Sequence, residues 1–296
     1  MNCFQNYLVL ILLNIVLIYL VESKAILYTK QINQNVFKTG TQPPDDNSIL
    51  GVKVLLNANK YCLGKWFQSK NFEPKDHSKY LDFHGTHENQ IRGPASEAMG
   101  LAISLKTKAY NEKIVGKSET HALNMTLQLL TSLAYRHKSN SAGGWGDQWQ
   151  SALWTTYAGL GSWLLWEHFD ESDKHLIENM IIHETNRFNE YKVPYYQDKN
   201  LKVNFPGDTK AEENAWNANL LQVALAMMPT HPNWKTWMRK NIELMLSSYA
   251  RHSDLNRTDI INGKRVCIVF NLIIIVLFIG KSFRSSKRFS FYSTDK

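Results

Sequence analysis

Between residues 49 and 251, apolar residues return at i, i+3, i+4 and i+7, and each such stretch is closed by a turn or capping signal. A period near 3.6 places one apolar stripe on each helix and leaves little room for sheet. The spacing predicts helices over Leu50–Phe67, Ala95–Tyr110, His121–His137, Gln148–His168, Ser172–Tyr191, Lys210–Met228 and Trp234–Arg251. Pro94, Ser118, Gly146-Asp147, Ser172, Thr209 and Pro232 mark their starts. Residues 69–93 read as a polar loop, and Leu201–Phe205 is the best short strand pattern. The fold class is therefore all-α, built from helix hairpins in one domain over 49–265, with 24–48 as an extended arm or linker. A helix-pair period of about 45–60 residues suits a toroid or solenoid whose units differ in sequence. Such units cover one another's faces, so the hairpins present predict an open edge and further helices beyond Arg251.

The two ends have a different texture. Tyr7–Val21 is an apolar run interrupted only by Asn14 and followed by Val21-Glu22-Ser23, which reads as a secretory signal over 1–23. The basic n-region is missing, and an uncleaved signal anchor is the alternative. Both readings send the chain into the secretory pathway, and sequons at Asn124 and Asn256 agree as glycosylation sites. Val266–Gly280 is a second apolar run, followed by a basic tail over 281–296. As a helix, these 15 residues would span about 22 Å against a hydrocarbon core of ~30 Å. Basic residues after such a run form a stop-transfer pattern, so a type I membrane anchor is one reading. The other is a read-through or mis-spliced tail foreign to the domain, since the Trp-rich texture ends abruptly there. Cys3 leaves with the signal, and Cys62 and Cys267 fall in segments not expected to fold together, so no structural disulfide is predicted.

The formal charge of +8 overstates the basicity of the domain. The tail from Val266 holds five Lys/Arg and one Asp, and segment 1–23 holds only Glu22, which leaves +5 on residues 24–265. That charge is spread without a basic block. Nucleic acid is therefore not an expected partner, while a mildly basic cleft for an acidic glycan is. Nothing in the sequence assigns an oligomeric state.

The chemistry concentrates in P-G-D-T-K-A-E-E-N-A-W-N-A-N, residues 206–219. Thr209 and Glu212 have capping-box spacing. At about 100° per residue, Glu213 and Asn217 then share a face with Leu220 and Ala224, with Trp216 beside them. Asn214 also stays unexplained by capping. A carboxylate, amides and an indole at the mouth of a helical core suit a polar ligand such as a sugar; the plainer reading is a capped helix with a Trp anchor. Trp145, Trp149, Trp154, Trp163 and Trp166 fall within 22 residues. Trp163 and Trp166 sit among leucines and read as core. Trp145 and Trp149 follow Gly143, Gly144 and Gly146 and read equally as ligand platform or packing, with Asp147 as N-cap. Glu184 falls within an apolar stripe and reads as paired with Arg187, with His183 at the edge of that stripe. Tyr195 and Tyr196, in the loop before residue 206, are candidate proton shuttles. His84 and His87 with Glu88 lack an H-E-x-x-H pattern or a cysteine pair, so no metal or other cofactor is expected. Their loop precedes Arg92, the candidate cation for substrate binding.

G-W-G-D-Q-W-Q-S-A-L-W (144–154), H-E-T-N-R-F (183–188) and G-D-T-K-A-E-E-N-A-W-N-A (207–218) together resemble the α/α-toroid proteins grouped with heparinase II/III-like and alginate-lyase-like enzymes. The likeness covers roughly 92–251 and is strongest in the third motif. It implies an incomplete (α/α) toroid, a polysaccharide ligand held at one mouth, and lyase chemistry by β-elimination on uronate-containing glycans. The C-terminal β-sandwich and later toroid helices usual in the family are absent from the sequence. By resemblance, Asn214 and Asn217 neutralise the uronate carboxylate, Tyr195, Tyr196 or His183 takes the C5 proton, and Trp145, Trp149, Glu213, Trp216 and Arg92 bind substrate. Two other classes fit: a non-catalytic glycan-binding or scaffold protein, and a glycoside hydrolase using Asp147 and Glu213.

Overall fold

The computed structural model describes residues 26–33, 45–74 and 78–249, and the backbone of two short strands. The signal segment 1–23, Asn256, the basic tail and all but the first two residues of the apolar run 266–280 lie outside the described residues. The helices are α1 (Asp46–Tyr61), α2 (Phe67–Lys70), α3 (Glu88–Lys106), α4 (Glu112–Val115), α5 (Glu119–Tyr135), α6 (Ser151–Leu164), α7 (Glu171–Asn186), α8 (Ala211–Met227) and α9 (Trp234–Tyr249). A π-helical turn, Cys62–Trp66, joins α1 to α2, and a 3-10 turn, Trp166–His168, follows α6. Strands β1 (Thr258–Ile261) and β2 (Lys264–Cys267) form an antiparallel hairpin. The rest is all-α, as the periodicity predicts, and among the described residues no helix is long and apolar enough to cross a membrane.

Caps explain several boundaries. Asp45 accepts from the Ser48 amide, Ser118 from His121 and Asp170 from Asp173, each worth about 1 kcal/mol to its helix. Helix α3 starts at Glu88, inside the stretch expected to be loop. Pro94 lies within α3 and gives up one backbone bond without ending the helix. Leu201–Phe205 is not a strand; the segment before α8 is irregular, with one isolated bridge, Gln197 to Val203. Side-chain bonds to backbone replace a ladder there, as where Asn204 Nδ2 donates to the Tyr195 carbonyl.

The helices form two rows. Helix α3 packs on α6 and α6 on α8; α5 packs on α3 and α7; α9 packs on α8. Lys106, at the end of α3, pairs with Glu167 just beyond α6 at 2.6 Å. Trp149, ahead of α6, bonds Glu213 in the first turn of α8. These contacts make α3, α6 and α8 parallel, with their N-ends at one mouth. Helix α6 is the central element and is buried along most of its length. A Cβ on Gly159 would lie 3.2 Å from Ile181, and one on Gly161 3.2 Å from Leu130, so small residues set how closely α6 approaches α7 and α5. Cys62 is a buried free thiol.

Candidate functional site

The mouth is built from the C-ends of α5 and α7 and the N-ends of α6 and α8. After α5 the chain loops out and returns through a parallel bridge between His137 and Trp145. Trp145 is wholly buried, donates from Nε1 to the Leu133 carbonyl at 2.9 Å, and meets His137 edge-on at 4.7 Å. It is thus an anchor for this loop, which decides for packing between the two readings that its place beside the glycines left open. The glycines also serve the chain itself. A Cβ on Gly144 would run into the Arg136 carbonyl, and one on Gly146 (φ +133°) would lie 2.5 Å from His137 Nε2. Asp147, at φ 59°, is not a helix cap: α6 begins at Ser151, and the N-cap Gln150 makes no side-chain cap bond.

Glu184 is the hub. Its Oε1 accepts from the Asp147 amide at 2.7 Å and from His137 Nε2 at 3.3 Å. Its Oε2 accepts from Ser151 Oγ at 2.7 Å and from Arg187. Burial opposes the charge, but the His137 bond, the Arg187 charge, the Asp147 amide and the Ser151 hydroxyl together hold the carboxyl below its ordinary value. The Glu184–Arg187 pair expected from sequence is present, inside a larger network. His137 is fully buried, and burial lowers its pKa despite the Glu184 carboxylate. Its Nδ1 accepts from the Ser139 amide at 3.2 Å, so the proton sits on Nε2, facing Glu184.

Around this buried hub lies a half-exposed layer. Asp147 Oδ1 accepts from His183 Nε2 at 2.9 Å and lies 3.5 Å from Arg187 Nε; its Oδ2 pairs with Lys138. Burial opposes the Asp147 charge, yet the Lys138 and His183 bonds keep its carboxyl below its usual value. With Nε2 donating, His183 carries its lone pair on Nδ1. Asp147, His183 and Glu184 place their ligand atoms within 4.8 Å of one another. These atoms already bind Lys138, Arg187, Ser151 and the Asp147 amide. Two fixed cations beside them oppose a third, so the donor set does not fit a metal.

Trp149 is 62% exposed. Its Nε1 donates to Glu213, and its ring meets Trp216 edge-on at 5.3 Å. Glu213 also pairs with Lys210 at 3.4 Å. One expectation for this helix start is corrected. Thr209 and Glu212 form no capping box; the N-cap position is Lys210, at φ 58°, with no side-chain cap, and Thr209 Oγ1 accepts only from Ala211 at 3.3 Å. Asn214 and Asn217 are buried, and Asn214 Nδ2 donates to the Pro194 carbonyl at 2.9 Å. Asn214 thus ties α8 to the preceding loop through Nδ2, while its Oδ1 is buried with no partner among the described residues.

The remaining candidates divide. Glu213, Trp216, Trp149 and His183 belong to the mouth. Arg92 does not join them: it pairs with Glu88 at 2.7 Å on α3. Burial, then the Glu243 charge on α9, raises the pKa of Tyr195, so it faces α9. Tyr196 accepts the Asn204 amide through its carbonyl; no described contact joins its ring to the mouth. Asn124 is exposed on α5, with Thr126 buried and bonded to the Ala122 carbonyl at 2.7 Å. Trp166 is core, while Trp163 is only partly buried. Sequence reasoning passed over Tyr191, His137, Ser151, Lys138 and Lys210. Burial and then the Glu213 charge raise the pKa of Tyr191, while Arg187 and Lys210 oppose; its ring meets Phe188 edge-on at 5.4 Å. Its place eight residues after His183, at the end of one apolar stripe, was the only available signal.

No known protein family matches the chain, and neither a curated protein nor a solved structure is detectably similar to it.

Proposed function

We propose that the chain is a carbohydrate-active protein whose mouth binds a uronate-containing polysaccharide and acts on it by β-elimination. The observation that carries this reading is Trp149: a large indole, exposed yet held by Glu213 and Trp216, beside a layer of charged side chains. An exposed indole face stacks on the apolar face of a sugar ring, and Lys138 and Lys210, paired but partly exposed, keep further N–H donors for a carboxylated neighbour. The parallel α3–α6–α8 row supports the toroid resemblance, in which this mouth is the incomplete cleft. The signal reading of 1–23 and the exposed Asn124 support a secretory, glycosylated setting.

In this reading His183 is the base. Asp147 fixes its ring and stabilises the imidazolium, and Nδ1 takes the C5 proton while the C4–O bond breaks and the leaving oxygen is protonated. Tyr191, which follows α7 in the chain and packs on Phe188, is the tyrosine assigned in this reading to give that oxygen its proton. Asn214 and Asn217 drop out of the catalytic assignment. The hydrolase alternative would take Asp147, held ionised by Lys138 and His183, as base or nucleophile and Glu213, bonded to Trp149 and Lys210, as the acid. A second reading, glycan binding without chemistry, is favoured by Arg187 being engaged with Glu184 and Ser151. Incubation with uronate polysaccharides, followed by ultraviolet absorbance of the unsaturated ends, tests the first reading; binding without product transfers the assignment to the second. Failure of every uronate and neutral glycan to bind overturns both.

A further inference from the structure

The opposite end of the α6–α8 pair carries a second feature that the glycan reading does not use. Residues 26–33 run extended across it. Glu178, on α7, is 2% exposed, and among the described residues it has no cationic partner. Its carboxylate is satisfied by the arm: Oε1 accepts from the Tyr28 amide at 2.9 Å and the Thr29 amide at 2.6 Å, and Oε2 accepts from Tyr28 at 3.1 Å. The next residue is held from both sides. The Lys30 amide donates to the Met227 carbonyl at 2.7 Å, where the end of α8 leaves acceptors free, and the Lys30 carbonyl accepts from Trp163 Nε1 at 2.8 Å. Tyr28 places its ring against His231 at 4.7 Å, and His231 stacks on Trp237 at 4.2 Å. Tyr28 and Ile32 pack on the core.

Three consecutive amides and one carbonyl are thus read by three different helices or their ends, and a side-chain pocket selects an aromatic residue. The Tyr28 and Thr29 amides take the place of water on the Glu178 carboxylate where the arm covers it. We propose that this groove is a recognition site for an extended peptide with an aromatic residue at the Tyr28 position and an apolar one at the Ile32 position, filled in the native chain by its own residues 26–33. The backbone bonds supply affinity, and the His231–Trp237 wall supplies selectivity for the aromatic residue.

The test uses the full chain with a protease site introduced within 34–44 and then cut. The cut arm is expected to remain associated on gel filtration and to exchange with an excess of a fluorescent peptide of residues 24–35, read by anisotropy. A peptide with Thr29→Pro, which removes one amide donor, is expected to bind about tenfold to a hundredfold more weakly. Glu178→Gln in the protein is expected to weaken the parent peptide on the same scale. Release of the cut arm with no binding of added peptide overturns the proposal, as does equal binding of the proline peptide. The proline peptide needs no protein variant, so the result stands even where Glu178→Gln fails to fold.

Discussion

Helix α7 buries three carboxylates, Asp173, Glu178 and Glu184, and the surroundings of the two glutamates differ in kind. Glu184, at the mouth, is held by a cation, an imidazole, a hydroxyl and an amide, all from elements that frame the core. Glu178, at the far end, is held by amides of a segment outside the helical array. The first arrangement builds a fixed floor, on which an exposed indole and a histidine can be presented to a ligand. The second makes burial of a charge conditional on a peptide being in place. The same physical cost, a desolvated carboxylate, is offset by permanent structure at one end and by a replaceable strand at the other.

The contrast predicts unequal responses to truncation. Glu184→Ala strands the Arg187 guanidinium beside a cavity and removes the partner of the Asp147 amide, so it is expected to cost about 3–5 kcal/mol in chemical unfolding. Glu178→Ala leaves only amides that can reach water once the arm lifts, and is expected to cost about 1–3 kcal/mol. Equal costs at the two sites would dissolve the distinction. Gly146→Ala comes next, at about 2–3 kcal/mol, because a Cβ at φ +133° would press on His137 and Glu184 together. A neutral result there would mean that the loop is not clamped on the Glu184 hub.

Much of this was legible in the sequence, and what was missed has a common cause. Helix existence and type followed from apolar spacing, and the Glu184–Arg187 pair followed from a carboxylate set in an apolar stripe. The periodicity could not say which aromatic residues face water. Trp145 and Trp149 share one glycine-rich context, yet Trp145 is pinned to the Leu133 carbonyl while Trp149 stands out into solvent. That choice depends on the return of the loop to His137, a contact between chain segments rather than a local pattern. Thr209 failed as a cap for a local reason: Lys210 takes a left-handed conformation, and α8 starts one residue later than the capping box requires. The bond from Asn214 to the Pro194 carbonyl was not legible because that carbonyl belongs to a loop with no sequence signature.

Acid should distinguish the hub from the rest of the mouth. Folding lowers the His137 pKa below its ordinary 6.5, so below that pH the unfolded chain binds more protons than the folded one. Stability is therefore complete above about pH 6.5 and falls as the pH drops below it, by up to ~1.4 kcal/mol per pH unit. The lowered pKa of Glu184 adds a further loss below its ordinary 4.5, in the same direction. Thermal melts from about pH 8 to about pH 4, which bracket the ordinary imidazole value, should show the first decline in the parent chain and lose it in His137→Gln. A decline unchanged by that substitution would assign it to other groups.

The smallest effect on stability belongs to the residue with the largest proposed role. Trp149 is mostly exposed, and its described contacts are with Glu213 and Trp216 at the surface of the mouth. Trp149→Ala should change unfolding free energy by no more than about 0.5 kcal/mol, as surface substitutions generally do. It should also weaken binding of a uronate oligosaccharide by about tenfold or more, since one stacked aromatic face is worth about 1–3 kcal/mol where it has been measured on ring ligands. Calorimetric titration of the variant beside its melting curve separates the two quantities. A large loss of stability would make Trp149 part of the scaffold like Trp145, and unchanged binding would move the ligand away from the one mouth where α7's buried charge is held by permanent structure.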